Sequence, residues 1–303
     1  MRAGLRLFAA ALLASSVLAQ APASPKAFPT PKAAADALVA AAEKFDVPAI
    51  LEILGPEGKD LVDSGDAVMD RNQATSFAQQ AKDKLVVVPD PKNAKRATLS
   101  IGKDDWPVPV PLVKDAAGWR FDTKAGKREI LLRRIGSNEL DAIEVCHGYV
   151  EAQEEYASEL RGGAAITQYA QKVVGTADKQ DGLAWRDTDG TWRGPIGEKI
   201  AQAIDEGYSS KTEPYHGYYF KILKGQGPHA PLGTLDYVVK GVMIGGFALV
   251  AAPAEYEVTG VKSFIVSNDG VVYEKDLGPK TLDAFKAMER FDPDKTWSPV
   301  PQD

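Results

Sequence analysis

The spacing of apolar residues changes twice along the chain, and those changes predict its elements. From Thr30 onward Ala35, Leu38, Val39 and Ala42 recur at helical spacing, behind a Thr30 N-cap and a Pro31 suited to the first turn. Asp46 caps a second, short helix carrying Ile50, Ile53 and Leu54, ended near Gly55-Pro56. A third helix is expected over 67–84. The period then drops from 3.6 to 2. Strands are predicted at 85–88, 97–101, 106–113 and 119–122, followed by a helix over 125–135. Prolines at 107, 109 and 111 put the missing N–H groups on one side, which predicts an edge strand or extended ribbon. Helices first and then an antiparallel sheet make an α+β unit.

Gly136-Ser137 reads as the break between two domains, with Ser137 capping a long helix over 138–160. Leu140, Ile143, Cys146 or His147, Val150, Gln153 and Tyr156 form its expected buried stripe, and Glu139, Asp141, Glu144, Glu151 and Glu154 its wet face. A short helix over 166–174, an irregular acidic loop over 175–197 and a helix over 198–206 follow. Three β-like runs between Pro214 and Gly278 organise the second half, and Asp269-Gly270 between alternating apolar residues predicts a hairpin with a tight primed turn. A last amphipathic helix is expected over 281–291. The domain plan is a signal peptide at 1–19, a disordered leader at 20–27, one α+β domain at 28–135, a second at 137–296, and a tail at 297–303.

Composition adds compartment and partners. Arg2 and Arg6 precede the apolar run Leu7–Val17, and Val17-Leu18-Ala19 presents small residues where a signal peptidase reads, so export to the periplasm or beyond is expected. That run is too short to span a bilayer as an anchor, so no stable membrane anchor is expected after cleavage. Cys146 is the single cysteine, which excludes an internal disulfide. It reads as a small core hydrophobe, with an interchain link or a reactive thiol as the alternatives. The net charge of -6 argues against nucleic acid as a partner.

No arrangement of residues points to a defined chemistry. Asp104, Asp105 and Asp122 are the carboxylates of the first domain that a catalytic pocket would need, although Asp104-Asp105 also reads as a solvated turn. Asp187, Asp189 and Glu198 hold the first, third and twelfth positions of a calcium loop, but Trp192 stands where that loop needs glycine. His147, His216 and His229 have no metal-ligand spacing, so no metal or other cofactor is expected. Tyr215, His216, Tyr218 and Tyr219 form a candidate binding surface. Strand alternation puts Tyr218 and Phe220 on one face and Tyr219 on the other, so one row is core.

Three resemblances add to this reading. AAADALVAAAEKFD, the short second helix and GWRFD resemble the ketosteroid-isomerase-like cone superfamily, which implies an interior used for catalysis or binding. AIEVCHGYVEAQEEYA, HGYYFKI and FALVAAPAEYEVTGVKSFIVSNDGVVY resemble the globular domain of pilins and pseudopilins, here without the membrane helix. DDWPVPVPLVKD, RRIGSNELDAIEVC, PYHGYYFKIL, GFALVAAPAEYEVTGV and VYEKDLGP are similar to an exported bacterial two-domain family catalogued only as a domain of unknown function. The resulting expectation is a non-enzymatic binding or assembly-accessory protein of the cell envelope, with a protein partner there. The alternative is a small-molecule or cell-wall-directed enzyme using the cone pocket or the groove between domains.

Overall fold

The computed structural model describes residues 24–62, 67–161, 163–199 and 214–301. The expected signal peptide and the start of the leader lie outside them. The fold is α+β. The chain divides into two compact units, Met1–Ile130 and Leu131–Asp303.

In the first unit α1 (Pro31–Glu43) starts where Thr30 accepts the Ala33 N–H at 3.1 Å, and α2 (Val47–Leu54) starts where Asp46 accepts from Ala49 at 3.1 Å. Both caps satisfy backbone donors that the first helical turn leaves without partners. A 3₁₀ turn (Pro56–Gly58), α3 (Lys59–Val62) and α4 (Ala67–Asp83) follow. The sheet comprises β1 (Leu85–Asp90), β2 (Asn93–Ile101), β3 (Trp106–Pro107), β4 (Leu112–Asp115) and β5 (Gly118–Phe121), in the order β1-β2-β4-β5 with β3 also on β2. Leu38, Ile50, Ile53, Leu54, Leu99, Ile101, Val110, Leu112 and Phe121 fill the core between helices and sheet.

Two expectations change here. The proline-rich ribbon divides: β3, with Pro107, pairs only with β2 and is the expected edge, whereas β4 lies between β2 and β5. Pro109 and Pro111 instead fall in the gap between β3 and β4, where the chain leaves the ladder and turns Val108 and Val110 into the core. The expected leader is ordered from Ser24: Lys26 donates its N–H to the Glu52 carbonyl, and Phe28 exchanges two 2.7 Å backbone bonds with Trp119 on β5.

A single helix, α5 (Thr123–Ala157), runs through the position expected to separate the domains. The unit boundary falls inside it, between Ile130 and Leu131. Gly136 and Ser137 are helical. Glycine in a helix interior costs only about 1 kcal/mol, too little to stop a helix supported on both sides.

The second unit adds β6 (Trp185–Arg186), β7 (Trp192–Arg193), β8 (Tyr218–Leu223), β9 (Gly225–Gln226), β10 (Leu235–Asp236), β11 (Val238–Val239), β12 (Val242–Met243), β13 (Ala248–Pro253), β14 (Lys262–Ser267), β15 (Val272–Asp276), α6 (Thr281–Ala287) and β16 (Ser298–Pro299). Its main sheet is antiparallel in the order β16-β15-β14-β13-β8. β13 and β14 are buried on both faces. One face, with Tyr218 and Phe264, meets α5, whose Tyr149 packs edge-on against Phe247 and donates to the Ala248 carbonyl. The other meets the C-terminal segment: the Lys221 ammonium lies over Phe285, Tyr273 packs on Phe291 and the Lys275 ammonium lies over Trp297.

The buried stripe of α5 in this unit is Ala142, Cys146, Tyr149, Ala152, Gln153 and Tyr156. Leu140 is not part of it and stands 66% exposed. The segment 166–174 is not a helix: Gln153 captures Ala170 through two 2.8 Å bonds, and Tyr169 donates to the Met243 carbonyl, which holds this stretch extended. α6 ends at Ala287, four residues before the expected Phe291. Residues 297–303 were expected to be a tail, yet β16 pairs with β15 and Trp297 is buried. The helix expected over 198–206 is helical at 198 and 199, and the rest lies outside the described residues. The Asp269-Gly270 hairpin forms, but only Gly270 has a positive φ, +74°, and its N–H donates to the Ser267 carbonyl. That is a type I turn closed by a left-handed glycine, because a primed turn would need positive φ one residue earlier.

Candidate functional site

The first cluster is built around the start of β8. Tyr215 and Tyr218 exchange two 2.9 Å backbone bonds across His216 and Gly217, whose φ values are +45° and +75°. This is a type I′ turn with histidine at a position that favours Asn, Asp or Gly. Three residues on α5 hold it. Asp141 accepts from the His216 Nδ1 at 2.7 Å, Asn138 donates to the Thr259 carbonyl, and Glu139 accepts from the backbones of Val261 and Lys262. Gly217 is required twice over, by its φ and because a Cβ there would lie 2.7 Å from the Asn138 amide. Glu139 and Asp141, expected on the wet face, are therefore the ties between helix and loops.

The candidate binding surface divides between the faces of the sheet. Tyr215 stacks on the His216 ring with centroids 4.3 Å apart, and both are half-buried. Tyr218 is core; its hydroxyl donates to the Lys262 carbonyl, and burial, with Glu139 nearby, pushes its pKa up. Tyr219 is half-buried on the opposite face.

The carboxylates singled out in the first unit have separate duties. Asp105 accepts from Lys84 and Ser100, and the Lys84 hydrogen bond, followed by that from Ser100, holds its pKa below the ordinary 3.8. This is the wrong direction for a base working near neutrality. Asp122 accepts the Ala125 N–H and caps α5. Asp104 is exposed and lines an open cavity of about 220 Å³ with Gln80, Asp83, Lys103 and Trp106. The structure does not gather the three.

The calcium candidates form the turn between β6 and β7 instead of a cradle. Asp187 and Asp189 face Arg193 at 3.8 and 4.0 Å, and Asp189 also accepts the Thr191 N–H. A guanidinium already balances the charge a cation would need. Glu198 is exposed beyond this turn. Among the described residues no group of three His, Cys, Asp or Glu side chains could hold a metal ion. Cys146 is fully buried, and desolvation pushes its thiol up to about 12.

Sequence reasoning missed a second cluster, between Gly227 and Gly245. The Gly233 N–H donates to the Ala230 carbonyl, closing a four-residue turn with Pro231 and Leu232 in the middle. Leu232 has φ +69°, so it fills the third place of a type II turn, which normally requires glycine. It is 97% exposed. The buried Gln226 side chain clamps the turn, its amide donating to the carbonyls of Pro231 and Gly233 while its oxygen accepts from Tyr237. Leu235, Val239 and Ile244 are also substantially exposed, Val239 beside the Lys240-Gly241 tip of the β11–β12 hairpin. Pro231-Leu232-Gly233 is visible in the sequence as a turn. What hides its importance is that Gly233 offers itself as the residue with positive φ, while the strained one is the leucine before it.

A family model matches residues 25–300, described as "Protein of unknown function (DUF2950)". No curated protein and no solved structure matches the chain.

Proposed function

We propose that this chain, which belongs to the DUF2950 family, is a non-enzymatic binding or assembly-accessory protein of the bacterial cell envelope, exported to the periplasm or beyond. The N-terminal charge and apolar run support export. No helix among the described residues is long and apolar enough to cross a membrane.

The Leu232 turn carries the binding reading. A leucine in the left-handed region costs about 1–2 kcal/mol, and at 97% exposure it recovers nothing by burial in its own fold. Fold stability and solubility would both favour glycine there. An apolar partner surface that takes up the leucine accounts for the residue, and Leu235, Val239 and Ile244 are further exposed apolar side chains of the same segment. The duties of Asp105 and Asp122 in ion pairing and capping point the same way, since a catalytic carboxylate works in a cavity with a displaced pKa.

The test separates binding from folding. The purified protein is immobilised, envelope extract is passed over it, and captured proteins are compared with those held by Leu232→Gly and Val239→Lys variants. Leu232→Gly should unfold about 2–4 °C higher while losing its specific partner. Equal capture by wild type and Leu232→Gly would remove the basis of this proposal.

One observation favours a second reading, that of an enzyme. A carboxylate fixing Nδ1 of a strained, half-buried histidine is the arrangement that orients an imidazole as a general base. A His216→Gln variant, which keeps a hydrogen-bond partner for Asp141, would leave capture intact under the binding reading. Loss of a hydrolytic activity on envelope material in that variant would support the enzyme.

A further inference from the structure

The turn from β2 into β3 is fixed from both ends while its tip is left to solvent. Gly102, with φ +72°, donates its N–H to the carbonyls of Gln80 and Lys84, which ties the turn to the end of α4. Asp105, with φ +53°, accepts from Lys84 at 2.8 Å and from Ser100 at 3.2 Å. Between these anchors Lys103 and Asp104 stand exposed, and neither side chain bonds to another described residue. Trp106 follows on β3 and is 45% exposed.

Lys103, Asp104 and Trp106 line one open cavity of about 220 Å³, to which α4 contributes Gln80 and Asp83. The Gln80 amide nitrogen donates to Ser76 at 3.2 Å, and its oxygen lies toward Gly102, 3.4 Å from where a Cβ would stand. The cavity thus joins an aromatic ring to three acceptor groups (Gln80, Asp83 and Asp104) and one ammonium. Each ligand class meets this set differently. Two carboxylates repel phosphate or another anion, and Lys103 opposes a simple cation. A purely apolar ligand would strip water from four polar side chains without replacing their hydrogen bonds. A sugar ring satisfies all of them: its C–H face packs on the indole, and its hydroxyls donate to the three acceptors and accept from Lys103. The volume is below the roughly 300–1,000 Å³ of sites that enclose a drug-sized ligand, so it suits one ring of a longer chain.

We propose that this cavity is a saccharide-binding site of the first unit, with Trp106 as the platform for one pyranose ring and Asp104 as its main hydroxyl acceptor. The turn is ordered before the sugar arrives, so binding needs no rearrangement of the backbone. The site is separate in sequence and in unit from the Leu232 turn, and its success or failure leaves that reading untouched.

Isothermal titration calorimetry of the full chain with cellotetraose and with chitotetraose tests the site, with choline as a cation that could also sit on an indole. Wild type should bind at least one of the two oligosaccharides, and choline far more weakly. Trp106→Ala should weaken that binding about tenfold or more. Asp104→Asn, a near-isosteric change at an exposed tip, should weaken it several-fold at an unchanged melting temperature, which keeps the test valid if Trp106→Ala does not fold. Absence of binding by both oligosaccharides at millimolar concentration overturns the proposal. So does binding that both variants retain at full strength, or choline binding as tightly as the sugars, which would make this a cation site.

Discussion

Gly270 shows how much a single backbone angle contributes to the second unit. Its φ of +74° closes the β14–β15 turn, and a Cβ added there would meet nothing within 4 Å. Substitution therefore tests conformation without steric crowding. Gly270→Ala should lower stability by about 1–2 kcal/mol in a denaturant titration. Gly270→Asn should cost less despite its size, because asparagine tolerates the left-handed region. If alanine were the milder of the two, the strain account of this turn would be wrong. The same principle explains what the sequence concealed. Glycine at 270 announces its angle, whereas His216, with φ +45°, and Leu232, with φ +69°, carry such angles on residue types that do not signal them. Nothing local to His216 shows that Asp141, 75 residues away, holds its ring.

At the level of elements, period and caps were legible and tertiary rescue was not. Thr30 and Asp46 cap the helices assigned to them, and the β13–β14–β15 meander lies where apolar alternation put it. The break expected at Gly136-Ser137 rests on propensity, and propensity lost to the packing of α5. That gives a direct test. Gly136 is helical with open space around it, so Gly136→Ala should stabilise the protein by about 0.5–1 kcal/mol. A destabilised variant would mean that the glycine is needed for a bend. The helix expected over 166–174 failed for the opposite reason. Gln153 offers its buried amide to both backbone groups of Ala170 and also donates to the Tyr149 hydroxyl at 2.9 Å. Gln153→Ala would leave buried donors and acceptors without partners, and should cost about 3 kcal/mol or more. A change below about 1 kcal/mol would show that this tie is dispensable.

For the whole molecule, acid should be the more damaging challenge and reductant a harmless one. Asp60, Asp105 and Asp115 each have a lowered pKa, chiefly through hydrogen bonds from Lys127, Lys84 and Arg120 respectively. A carboxylate with a depressed native pKa binds its proton more readily in the unfolded chain. Its contribution is complete above the ordinary value near 3.8 and disappears as pH falls through the lower native value. Unfolding temperature should thus decline below about pH 4, and Asp105→Asn should flatten part of that decline. An unchanged acid profile in that variant would assign the slope to other groups. Cys146, buried and with its thiol pushed up to about 12, should leave sedimentation and melting indifferent to reductant.

The clamp on the Leu232 turn has a consequence for the rate of encounter. Gln226 holds the carbonyls on both sides of the leucine, and Arg290 donates to the Gln226 carbonyl at 3.1 Å and to that of Leu235. The protruding side chain is thus presented by a backbone that is already ordered. For a partner that takes up the leucine as proposed, association need not wait for the loop to find its bound shape, so little entropy is lost on docking. Partners of different strength would then arrive at similar speeds and differ mainly in how long they stay.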